Sequence, residues 1–295
     1  MSSIRLRSYA KINWTLDVLH RRDDGYHELR TIYQTVSLHD SISITATGGA
    51  IEVTCQDPRV PSGETNLAHK AARLLAEAVR PASGARVEIE KRIPVAAGLG
   101  GGSSNAAATL LGLARLWRAE VDEATLIGIA ARLGSDVPFF LVGGTALGVG
   151  RGEEVYPLEQ VRPLDMLLVN PGFTVSTAFA YAKVSRLTSP DSPRIIPFTL
   201  LAAGGASELP LVASNDLEQV VIAAHPEIAE LKRMLLDLGA QRALMTGSGA
   251  TVYALFEKPD ASERALSHMR ALGYWSERVE TIDRRQYLDT IFEGQ

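Results

Sequence analysis

Along the first ninety residues apolar and polar side chains alternate in short runs, at 4–9, 14–19, 31–38, 41–46 and 86–90, with β-branched and aromatic residues at every second position. That period predicts half-buried strands. One helical pattern interrupts them at 66–79, where Asn66 suits an N-cap and Leu67, Ala71, Leu74, Leu75 and Ala78 share a face. Helical patterns then dominate, at 103–117 and from Asp122 to about Leu133. The apolar stretch 134–155, GSDVPFFLVGGTALGVGRGEEV, reads as a buried hairpin. Proline and charge at 159–163 mark a junction, which predicts one domain over 1–158 and a second over 159–295.

In the second half a strand is predicted at 164–170 and a helix at 176–187. The proline-bearing segment 188–210 reads as a long exposed connection. Helices follow at 216–224 and 227–238, broken by His225 and Pro226. Strand 243–246, the turn GSGA, strand 251–256, helix 261–272 and strand 275–279 close the chain. This order predicts a small sheet with helices on one face, an α+β layer of the ferredoxin-like kind.

Composition narrows the partners. Of 295 residues, 46% are hydrophobic and 22% charged, so a sizeable core is available, and the formal charge of −4 supplies no broad attraction for nucleic acid or an anionic membrane. A small-molecule partner is expected. The single cysteine, Cys55, suits a reducing compartment. The N-terminal residues lack the apolar core of a secretory signal, and the charge-free stretches 93–114 and 137–150 fail as membrane spans, the first for its five glycines and the second for its length. A cytoplasmic protein is expected.

The densest chemical signal is the stretch 93–110, IPVAAGLGGGSSNAAATL, in which glycines feed straight into an alanine-rich helical pattern. Gly98, Gly100, Gly101 and Gly102 are expected to reach positive φ and let the backbone approach a ligand, while the following helix points free N–H groups at the same spot. An anion cradle follows, with phosphate its natural guest. No GK pair occurs, the third glycine of the dinucleotide fingerprint is missing, and neither HRD nor DFG is present. P-loop NTPase, Rossmann and protein-kinase readings therefore fail.

Two isolated charges stand out. Lys11 in SYAKIN falls between two predicted strands, and Asp136 in RLGSDVPFFL falls between a helix end and an apolar hairpin. Burying either alone is costly, so the two are expected to pair. His20, His39, His69, His225 and His268 show no metal-ligand spacing, and TGSGAT alone is a hairpin turn.

Taken in order, SYAKIN, RRDDGYHEL, PVAAGLGGGSSNAA, GSDVPFFL and TGSGATVYALF resemble the GHMP family of small-molecule kinases from Ser8 to about Phe256. AKIN followed by DGYHELRTIYQ is similar to the branch of that family whose substrate carries a cytidine diphosphate. The resemblance implies a two-domain α/β (α+β) fold, a ribosomal-S5-like N-terminal domain plus a ferredoxin-like C-terminal domain, with the active site in the cleft between them. It implies ATP with Mg²⁺, and transfer of the γ-phosphoryl group to the 2-hydroxyl of a methylerythritol unit. Asp136 matches the family's general base and Lys11 the lysine that orients it. Pro94, Val95, Ala96, Ala97, Gly98, Leu99, Gly100, Gly101 and Gly102, with Ser103 and Ser104, match the ATP loop; Asn66 and Lys91 match positions near the adenine. Asn13, Tyr26, His27 and Tyr181 match substrate contacts, the two tyrosines as a sandwich for the base and His27 as the reader of its edge. The metal ligands stay unassigned, because two extra glycines separate Ser103 and Ser104 from their usual place after GLG. Kinases of the mevalonate, homoserine or galactose type and a non-catalytic ligand sensor of the same fold remain alternatives, the first disfavoured by DGYH and the second by the presence of Lys11, Asp136 and the glycines.

Overall fold

The two longest alternating regions each form one continuous strand. In this computed structural model, which describes residues 3–184, 205 and 209–294, β1 runs Ser3–Arg21 and β2 runs His27–Thr47 as its antiparallel partner. The sequence predicts breaks within both. The polar residues that interrupt the pattern, Lys11 and Asn13 among them, are buried by neighbouring layers, so the strand continues through them.

Glu52–Cys55 (β3, not anticipated) and Gly84–Glu90 (β4) extend this sheet beyond one half of β2, while Thr145–Gly150 (β5) pairs with the other half and Glu154–Pro157 (β6) with β5. Three helices are layered with it: Leu67–Val79 (α1), Gly101–Leu116 (α2) and Glu123–Leu133 (α3). The caps are as expected. Asn66 accepts from the N–H of Ala68 and Asp122 from that of Thr125, each satisfying an otherwise orphaned donor. The stretch 134–155 is a hairpin only in its second part: Phe139–Val142 forms a helical turn, α4. A short apolar run fits helix and strand equally, and the buried Phe139 and Phe140 pack well here as a helix.

The second sheet contains Asp165–Asn170 (β7), Arg242–Met245 (β9), Val252–Leu255 (β10) and Trp275–Glu280 (β11) in the order β11-β7-β10-β9, every neighbour antiparallel. This is the expected ferredoxin-like arrangement. Helices Thr177–Val184 (α5), Asp216–Ala224, Glu227–Asp237 and Pro259–Ala271 contribute to the core on one of its faces. Along β7 the period-two rule is visible in the packing, since Leu167 and Val169 face those helices while Met166 and Leu168 face the first sheet. The layer between the sheets includes Ala10, Ile12 and Trp14 of β1, with Trp14 edge-on to Tyr253 at 5.7 Å.

Two segments of the second half return to the first sheet. Ser214–Asn215 (β8) pairs parallel with β1, and the helix Arg284–Thr290, also not anticipated, buries Tyr287, whose ring lies 5.6 Å from that of Tyr9 and whose hydroxyl donates to the Phe140 carbonyl. Most of the predicted connection 188–210 and the end of the predicted helix 176–187 lie outside the described residues. At its far end Leu209–Val212 is a short helix with Leu209 buried.

Candidate active site

Two cavities meet at the glycine loop. The larger, ≈ 1050 Å³, is lined by Lys11, Asn13, Tyr26, His27, Asp136 and Tyr181 among others. The smaller, ≈ 470 Å³, is lined by Asn66, Lys91 and the loop from Pro94 to Ser103. Ala96, Gly98, Gly100, Ser103 and Thr177 line both and form the wall between them.

The loop is held from both sides. The Lys11 N–H donates to the Leu99 carbonyl at 3.0 Å and the Thr251 N–H to that of Ala97 at 3.4 Å, so β1 and the TGSGAT turn grip the same three residues, 97–99. Only two of its glycines have positive φ, Gly98 at 80° and Gly100 at 71°; Gly101 and Gly102 are the first residues of α2 instead. In the first turn of a helix N–H groups lack intrahelical partners, and an anion is favoured there. Ser103 lines both cavities. Ser104 lines neither, because its buried hydroxyl accepts from that of Ser8 at 2.8 Å.

Lys11 and Asp136 do come together. Lys11 Nζ is 3.5 Å from Asp136 Oδ2 and donates to Asn13 Oδ1 at 2.8 Å. The pair is asymmetric: the lysine side chain is 4% exposed, the aspartate 32%. Asp136 is thus not buried, as the sequence suggested, but opens into the cavity from the turn between α3 and α4. Alternation along β1 puts Asn13 beside Lys11, and Asn13 is fixed in turn by donating to Thr31 Oγ1 at 2.7 Å and by its own N–H to Thr246 Oγ1 at 3.1 Å. Tyr33, opposite Asn13 on β2, donates its hydroxyl to Asp136 Oδ1 at 3.0 Å.

Around the other end of the larger cavity the aromatic groups are arranged differently from the predicted sandwich. His27, not Tyr26, stacks on Tyr181, with ring centroids 5.5 Å apart and planes at 26°. Tyr26 is 54% exposed, with the Arg151 guanidinium 4.9 Å above its ring. Burial, helped by nearby Arg21, holds His27 below the ordinary imidazole value, and its buried Nε2 has no hydrogen-bond partner within the protein.

On the smaller cavity's side, Lys91 is paired with Asp40, a fully buried carboxylate that also accepts from the N–H groups of Arg92 and Ile93 at 2.8 Å each and from Asn105 Nδ2 at 2.9 Å. Sequence reasoning missed Asp40 and Tyr33. An aspartate or tyrosine in an alternating strand carries no local mark of its partners. Among the described residues no three His, Cys, Asp or Glu side chains gather to hold a metal ion, and no helix is long and apolar enough to cross a membrane.

The models for the GHMP kinases N terminal domain and the GHMP kinases C terminal match residues 66–144 and 200–274. The 4-diphosphocytidyl-2-C-methyl-D-erythritol kinase of Geobacter sulfurreducens is 44% identical over 283 residues, covering 96% of this chain and 100% of that one. The chain belongs to the 4-diphosphocytidyl-2-C-methyl-D-erythritol kinases of the GHMP family. It is a small-molecule kinase, and the family implies ATP as phosphate donor. A crystal structure of a 4-(cytidine 5'-diphospho)-2C-methyl-D-erythritol kinase aligns with a TM-score of 0.76 at 38% identity, over 93% of this chain and 98% of that one. A homoserine kinase from Cytophaga hutchinsonii aligns at 0.71 with 18% identity, over 97% of this chain and 96% of that one, which shows a shared fold alone.

Proposed function

We propose that this chain transfers the γ-phosphoryl group of ATP to the 2-hydroxyl of 4-diphosphocytidyl-2-C-methyl-D-erythritol, giving the 2-phosphate and ADP in non-mevalonate isoprenoid precursor synthesis. The observation that carries the reading is the placement of Asp136 and Lys11 in one cavity, across a glycine loop from a second. Nucleotide in the smaller cavity and alcohol in the larger would meet at the wall formed by Gly98, Gly100 and Ser103.

The residues then divide the work. Asp136 Oδ2 takes the proton of the substrate hydroxyl as that oxygen bonds to the γ-phosphorus; the bond to the bridging oxygen breaks, and its electron pair leaves on ADP. Lys11 offsets the charge on the reacting oxygens, and Asn13 holds the Lys11 ammonium in place. Phosphoryl transfer gains chiefly from such alignment and charge stabilisation. Mg²⁺ would enter with ATP and offset the charge of its phosphates. Ser103 is the loop hydroxyl that faces both cavities.

The cytidine would occupy the aromatic end, where His27, neutral and with Nε2 unpartnered, offers a donor and an acceptor edge. Tyr26, Tyr181 and Arg151 supply stacking surface and positive charge beside it. Mevalonate and homoserine have no ring to fill this end. Coupled ADP release tests the reading: the cytidyl alcohol should support turnover, and mevalonate and homoserine should not. Turnover with either of those and none with the cytidyl alcohol would overturn it.

A further inference from the structure

We propose that Tyr33 is a positioning residue for the phosphoryl transfer: its hydroxyl occupies Oδ1 of Asp136 and so leaves Oδ2, the oxygen beside Lys11, as the one that accepts the substrate's proton. This rests on Asp136 being the base.

The geometry is built from three elements. Tyr33 pairs with Asn13 across β1 and β2, which puts both side chains on the face that carries Lys11. Its ring packs on Phe139, three residues after Asp136, at 4.8 Å, and the Lys11 ammonium sits 5.6 Å from its centroid. Glycines leave room for the ring and no slack around it. A Cβ at Gly148 would come within 2.5 Å of Tyr33 Cε2, and one at Gly152 within 2.5 Å of the hydroxyl. The side chain is therefore locked by its surroundings, and at 2% exposure no bulk water competes for its proton.

That proton has two acceptors in reach, Asp136 Oδ1 at 3.0 Å and the Gly152 carbonyl at 3.4 Å. The shorter contact is to a charged oxygen and is the stronger. Burial, then the neighbouring carboxylate, raises the phenol well above its ordinary value, so it remains a donor throughout the working pH range. A carboxylate free to rotate presents either oxygen to the substrate. One tied at Oδ1 presents Oδ2, already 3.5 Å from Lys11. Tyr181 of α5 and Glu153 of the β5–β6 turn push the Tyr33 phenol in the same direction, upward.

Tyr33→Phe deletes one oxygen and keeps the ring. Losing a hydrogen bond to a charged group corresponds to a fall in kcat of about tenfold or more, with KM for ATP and for the cytidyl alcohol each within roughly twofold of wild type. In Asp136→Asn the added Tyr33→Phe should cost no more than about twofold, since the two act as one unit. p-Aminophenylalanine at position 33, which restores a donor, should recover most of the rate; its kcat carries the test if the phenylalanine variant is unstable. Wild-type kcat in Tyr33→Phe, or fully additive losses in the double variant, would overturn the proposal. A fully active Asp136→Asn would instead remove the reading of Asp136 as base, so the two failures are distinct.

Discussion

Gly98 faces Thr246 so closely that a Cβ on the glycine would lie 2.4 Å from the threonine's carbonyl oxygen. The glycine loop and the TGSGAT turn thus touch backbone to backbone, across the boundary between the two sheets. Gly98 also has φ of 80°, a conformation that side chains disfavour.

Gly98→Ala should therefore push loop and turn apart. The expected results are a loss of stability of about 1–3 kcal/mol and a marked rise in the Kd for ATP by titration calorimetry. Gly102→Ala is the contrast. It lies in α2, where a Cβ meets nothing nearer than Leu67 at 3.8 Å, so thermal stability should hold or improve.

Asp136→Asn keeps the shape of the site and removes its base. kcat should fall by roughly 10² or more, with ATP affinity and thermal stability near wild type. Lys11→Ala should lower kcat on a similar scale. Stopped-flow or coupled measurement of ADP release on folded protein checks both, and full activity in either would break the assigned pair.

Much of this site was legible because charge in an apolar context is informative. Lys11 and Asp136 are 125 positions apart in the chain, yet the cost of leaving either without a partner predicted their pairing. The caps Asn66 and Asp122 were legible for a local reason, since a side-chain oxygen just before a helical pattern can accept from a free N–H of its first turn. What stayed hidden depends on tertiary neighbours. β1 and β2 are covered on both faces, so their polar residues looked like strand breaks, and PFFLV fits a helical turn as well as a strand. Arg284–Thr290 offers one buried side chain, Tyr287, too little for a helical period. The orientation of Asp136 by Tyr33 requires two strands and a turn to be assembled before the contact exists.

His27 carries a pH dependence whose sign follows from its surroundings. Its folded value lies below the ordinary imidazole pKa of about 6.5, so the neutral ring prevails above that range and protonation sets in only as pH falls beneath it. If the neutral edge reads the base, KM for the cytidyl alcohol should rise as pH drops beneath the ordinary imidazole range, while KM for ATP changes little. In His27→Ala the KM for the alcohol should be high and flat over the same range. A wild-type KM independent of pH down to the acid limit would contradict this role.

The most direct test of the whole reading is kcat/KM for the cytidine and uridine versions of the methylerythritol substrate, with the new phosphate ester followed by ³¹P NMR. Cytosine presents an exocyclic amino donor where uracil presents a carbonyl oxygen, so a site that pairs that edge leaves buried groups mismatched with uridine. Rejection of this kind reaches about 10⁴-fold in sites built to hydrogen-bond their substrate. Tyr26→Ala should weaken both analogues about equally, because stacking tolerates either base. The expected outcome is a new 2-phosphate ester with cytidine and a kcat/KM lower by at least about 10²-fold with uridine. Equal use of both bases, or no ester with the cytidine substrate, would contradict the proposed function.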